Sequence, residues 1–116
     1  MVSLSKGHII IDRETVQNLF DNADQVNWVF YAQKKILHIA SGADTLFKSL
    51  HKTAMSMLKY KNEQGIRSLS VQELLIDQEL DGKDRDLKFF ADEKMKVLNI
   101  YFSEIQIPIL NEGRII

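Results

Sequence analysis

Few side chains in this sequence are suited to acid–base or ligand chemistry. There are three histidines, His8, His38 and His51. None stands in a His-x-His or His-x-x-x-His pair, so no metal site follows from local spacing. His38 falls on the return strand of an expected hairpin, and His51 on an expected helix. In those places a half-buried sheet histidine and a helix-flank histidine are the ordinary outcome. If the two converged with a carboxylate in a cleft they would form an acid/base pair, and the tertiary fold decides which holds.

Trp28 is the only tryptophan and stands beside Phe30 and Tyr31. An indole ring there packs in a core, or lines a ligand pocket or interface. Core packing is the commoner result. Trp28, Tyr31, His38 and His51 are the candidate ligand or interface residues.

Other familiar chemistries lack their motifs. With no cysteine, thiolate catalysis, disulfides and Cys-ligated clusters are excluded. Gly7, Gly42, Gly65, Gly82 and Gly113 are isolated, so neither a phosphate-binding loop nor a dinucleotide fingerprint exists. No serine occupies a Gly-x-Ser-x-Gly elbow. Asp77, Glu79, Asp81 and Gly82 resemble a calcium loop only loosely, because the glycine is misplaced and the closing glutamate is missing. A solvated turn explains them better. No cofactor is expected, and the absence of any catalytic motif weighs against an enzyme.

Charge narrows the partners. The 116 residues carry 15 Lys/Arg and 16 Asp/Glu, a formal net charge of −1. The first 65 residues are slightly basic and the remainder acidic. This balance lacks the broad basic field of non-specific nucleic-acid binding. Lys48, Lys52 and Lys59 fall on one face of an expected helix, and contact with nucleic acid through them is the weakest of three functional readings. The N-terminus has no basic segment leading into an apolar one, so a signal peptide is not expected. No apolar run is long enough for a membrane span. A reducing, cytoplasmic setting fits the cysteine-free composition.

These residues are positioned by elements legible in the hydrophobic pattern. Trp28-Val29-Phe30-Tyr31-Ala32 followed by Gln33-Lys34-Lys35 and Ile36-Leu37-His38-Ile39 predicts a β-hairpin with a turn longer than two residues. Phe89-Phe90-Ala91 through Val97-Leu98-Asn99-Ile100 repeats it. Apolar residues on both faces of the first hairpin predict a strand pair covered on two sides, by helices on one and by a second cover on the other, for which a partner subunit is one candidate. His8-Ile9-Ile10-Ile11 predicts a strand, after a loose arm or short edge strand over residues 1–7. Asp12 caps a helix at about 13–22. Leu46, Phe47, Leu50, Ala54, Met57 and Leu58 predict a long helix over 43–60, capped by Asp44 or Ser41 and ended near Gly65. Residues 66–69 predict a short strand. Ser70 with Glu73 forms a capping box for a short helix at 71–79. Asp81-Gly82-Lys83-Asp84 is a turn. Ile105, Ile107 and Ile109 alternate around Pro108, predicting an edge strand or arm over 104–116 that docks on its own core or on a neighbouring chain.

The expected fold is therefore a single α+β domain. An antiparallel sheet of five to seven strands combines two similar hairpins and edge strands with a long central helix and two shorter helices. A duplicated β-α-β-β unit, 8–40 and 66–103 joined by helix 43–60, is the organising idea. The leading function is a self-associating interaction or regulatory module without enzymatic activity. A homodimer is expected, with Ile105, Ile107 and Ile109 at the interface, and a further protein partner is compatible. The alternative is a small-molecule-binding domain or small enzyme using a cleft between sheet and long helix.

Overall fold

Lys6 and Gly7 both adopt left-handed backbone, with φ of 50° and 79°. Two such residues make the two-residue turn that hairpins favour, and glycine accepts it without strain. The turn joins β1 (Val2–Ser5) to β2 (His8–Ile11), so the loose N-terminal residues form a strand in full register. The computed structural model describes residues 1–103. The expected arm over 104–116, with Ile105, Ile107 and Ile109, lies outside them.

Asp12 caps α1 (Arg13–Phe20) as expected, its carboxylate accepting from the Thr15 amide at 2.8 Å. The first hairpin follows as β3 (Gln25–Tyr31) and β4 (Ile36–Ser41). The second is β9 (Lys88–Asp92) and β10 (Val97–Tyr101). Both close through turns of four residues, with Lys35 and Lys96 at matching left-handed positions.

The long central helix is the main correction. Only α2 (Thr45–Leu50) is helical, and His51 is already extended at φ −132°, ψ 153°. The chain then forms β5 (Ala54–Met57), paired with β3, and β6 (Lys59–Tyr60), paired with β7 (Arg67–Ser70). Ala54, Ser56 and Leu58 alternate with Met55 and Met57, a period of two that a helical pattern of apolar residues had absorbed. The open edge of β3 supplies the ladder that settles it. Lys48, Lys52 and Lys59 consequently fall on a helix, a connection and a strand, not on one helical face.

Two smaller corrections concern caps. α3 (Gln72–Asp77) starts from Val71 without a side-chain cap bond, because Ser70 remains in the β7 ladder opposite His8. Gly65, at φ 88°, serves the turn between β6 and β7 and ends no helix. The last short strand is β8 (Arg85–Asp86).

The α+β class stands, with the strands divided into two antiparallel sheets of five. The first runs β6-β7-β2-β1-β8 and the second β5-β3-β4-β10-β9. Val2, Leu4, Ile9, Ile11 and Leu69 of the first sheet join Val26, Leu37, Ile39, Leu98 and Ile100 of the second in one buried cluster, sealed by Val16, Leu19 and Phe20 of α1 and Leu74 and Leu75 of α3. Each such aliphatic side chain contributes about 1.5–3 kcal/mol on burial. Alternation then gives each sheet an inner face toward this core and an outer face away from it.

Arg67 is the unexpected member of the core. It is 1% exposed and projects among aliphatic neighbours. Its guanidinium donates to the carbonyls of Leu58 (2.9 Å), Ala23 (3.2 Å) and Asn22 (3.4 Å), and to the Asp24 carboxylate (3.4 Å). It also lies 3.8 Å from the centre of the Tyr60 ring. A planar five-donor group suits this task, tying the end of α1 to the β5–β6 edge.

Candidate functional site

Alternation along β3 sends Trp28 and Phe30 inward and Val29 and Tyr31 outward. His38 opposes Val29 across the β3–β4 ladder and so also points outward. On its other side His38 opposes Asn99 of β10. Asp44 caps α2 with a 2.9 Å bond from the Phe47 amide, and this short helix lies over the outer face of the second sheet. Its end delivers His51 to the strand residues.

Three of the four candidate residues therefore meet. The Tyr31 hydroxyl lies 2.5 Å from His51 Nδ1. The His38 and His51 rings are stacked, with centroids 6.1 Å apart and planes 13° from parallel. Tyr31 meets both edge-on, and Phe47 packs against His51 at 4.7 Å. Trp28 does not join them, being on the opposite face. The expected cleft between sheet and long helix does not form, because that helix is not there.

The hydrogen bond to Asn99 defines the tautomer of His38. Asn99 Nδ2 donates to the Phe90 carbonyl at 3.2 Å, which turns its Oδ1 toward His38 Nδ1 at 2.5 Å. An amide oxygen only accepts, so His38 donates from Nδ1 and its neutral form keeps an Nε2 lone pair. Burial lowers the His38 pKa below the ordinary value of 6.5. The Asn99 bond opposes that shift and the nearby His51 adds to it. His38 is thus neutral at pH 7. The Tyr31 hydroxyl and His51 Nδ1 share the second bond, in which either group can donate.

Around them is a cavity of about 200 Å³, walled by Leu46, Phe47, Leu50 and Met95 and edged by Asp44 and Asp92. Both carboxylates serve local structure. Asp44 holds the α2 cap, and Asp92 accepts from the Lys94 and Met95 amides at 3.1 Å. Neither bonds an imidazole, so no carboxylate–histidine relay is assembled among the described residues. Among the described residues no group of three His, Cys, Asp or Glu could hold a metal ion.

Trp28 lines a different and larger cavity of about 570 Å³, between the inner face of the second sheet and α3. Its indole N–H donates to Ser56 Oγ at 2.9 Å. Alternation puts Tyr31 on the face away from Trp28, and His38 and His51 stand out as histidines of a strand and a helix, but no sequence pattern pointed to Asn99 as a partner, to α2 as the cover, or to Arg67. The only signal for Asn99 was its place in the second hairpin, matching that of His38 in the first.

No family model matches the chain, and neither a curated protein nor a solved structure matches it. No helix among the described residues is long and apolar enough to cross a membrane.

Proposed function

We propose that this chain is a non-enzymatic interaction module that self-associates through the outer face of its second sheet. The observation that carries this is a contrast between the two outer faces. On the first sheet that face carries Ser3, Ser5, His8, Ser68 and Ser70, with Lys59 and Asp86 toward its edges and Ile10 as its large aliphatic. On the second, Tyr31, Phe90, Met55 and Met57 are exposed, beside Leu46 and Leu50 of α2. Apolar groups gathered on one face mark an interaction surface more often than scattered ones do. The slightly basic first half and acidic second half suit a two-fold contact between copies, in which each half meets the other. The absence of cysteine supports a cytoplasmic setting.

The same reading extends to the chain's internal order. We take residues 8–40 and 66–103 as two β-α-β-β halves related by a local two-fold. Ile9 opposes Leu69 and His38 opposes Asn99, each pair antiparallel and about sixty positions apart. A two-fold axis brings equivalent strands together in that way. Superposition of the halves in an experimental structure, with a rotation far from a half-turn, would end this part.

The module itself is tested by light scattering on the full chain across the micromolar range. A mass rising to that of a dimer is expected. A fixed monomer mass would overturn self-association, and a dimer unaffected by deletion of residues 104–116 would confine the contact to the described face.

A further inference from the structure

The cavity beside Trp28 belongs to neither the outer face nor its histidines. At about 570 Å³ it falls in the size range of small-molecule sites and is more than twice the cavity on the outer face. Trp28, Phe30 and Leu74 supply its apolar surface. The indole N–H is already committed to Ser56, so the tryptophan offers an occupant only its π surface. Such a face packs against the apolar or aromatic body of a ligand.

The charged residues in the lining favour a cation. Glu73 and Asp77 stand four apart on α3, one turn from each other on the same side. Neither has a hydrogen-bond or ion-pair partner among the described residues, and both are exposed at the mouth. Among the described residues Lys52 is the single opposing charge in the lining. We propose that this cleft binds a small organic cation, an ammonium on an apolar body, with the body on Trp28 and Phe30 and the charge toward Glu73 and Asp77. The ammonium belongs either to a free amine or to a lysine side chain, since both present the same chemistry.

Because Trp28 is the only tryptophan, its fluorescence reports the site without interference. The test titrates the full chain with 2-phenylethylammonium, 2-phenylethanol and phenylacetate, following Trp28 emission and, separately, the heat of binding. Saturable binding is expected for the cation, with clearly weaker binding of the neutral and anionic analogues. Glu73→Gln and Asp77→Asn should each weaken it about two- to fivefold, and Lys52→Gln should tighten it by a similar factor, the range expected for exposed charges. All three positions are on the surface, so circular dichroism should show an unchanged fold. Tighter capture of an acetyl-Phe-Lys-amide dipeptide than of the free amine would assign the ammonium to a protein chain, and the reverse to a small molecule. Either result supports a cation site. Equal responses to the three probes, no saturation at millimolar concentration, or an affinity indifferent to all three charge changes would overturn it.

Discussion

His38 and Asn99 face each other across the β4–β10 ladder, at matching places in the two hairpins, with imidazole Nδ1 and amide Oδ1 2.5 Å apart. The Asn99 amide is held in turn by the Phe90 carbonyl. The outer face of the second sheet is therefore fixed from β9 through β10 to β4, and the tautomer of His38 follows from a bond two strands away.

One consequence is spectroscopic. Burial lowers the His38 pKa and the Asn99 bond partly restores it. Replacing Asn99 with leucine removes the acceptor and should lower the His38 pKa further. Titration of the histidine ring resonances by NMR should place His38 below 6.5 in the native chain and lower still in Asn99→Leu. A rise in the variant would contradict the assigned bond.

The same group makes stability depend on pH. A histidine with a lowered pKa in the folded chain binds its proton first in the unfolded chain. Its contribution is complete above the ordinary value of 6.5 and is lost as the pH falls through that value toward the lower folded one. Urea unfolding between about pH 7.5 and 5, the histidine range, should show falling stability, with a shallower slope in His38→Gln. An equal slope in both proteins would assign the effect elsewhere.

Arg67 is the most sensitive single position outside the site. Arg67→Met leaves the Leu58 carbonyl and its neighbours without their donor inside the core, at a cost of roughly 2–4 kcal/mol. Arg67→Lys keeps the charge but cannot reach several carbonyls at once, so it too should destabilise, though less. Denaturant unfolding gives both values. A methionine variant as stable as the native protein would show that the guanidinium network contributes nothing net.

Caps separate the two short helices. Asp44→Ala should cost about 1 kcal/mol by removing the α2 cap, and chemical denaturation measures it. Ser70→Ala should change stability by less than about 0.5 kcal/mol, because that hydroxyl caps nothing. Equal losses would restore the capping box that the spacing of Ser70 and Glu73 suggests.

Both hairpins were legible because aromatic alternation, a lysine-bearing turn and an aliphatic return all point one way. Residues 54–58 were not, since Ala54, Met57 and Leu58 fit a helical stripe while Ala54, Ser56 and Leu58 fit a strand. Local spacing cannot choose between those periods, and the free edge of β3 does. The candidate site was half legible for a related reason. Alternation placed Tyr31 on one face of the sheet and Trp28 on the other. The meeting of His38 with His51 depends on α2 lying over that sheet, a tertiary arrangement. Arg67 was invisible because charged side chains are almost always exposed, and its burial depends on carbonyls from two distant segments.

As proposed, the outer face of the second sheet joins two copies of the chain. Sedimentation velocity over a micromolar concentration series tests it most directly, on the native protein, Leu50→Asp, Phe90→Asp and a Ser68→Asp control on the opposite sheet. A concentration-dependent dimer is expected for the native chain and the control, and a monomer for Leu50→Asp and Phe90→Asp. A native chain that stays monomeric, or a dimer that survives both outer-face substitutions, would contradict it.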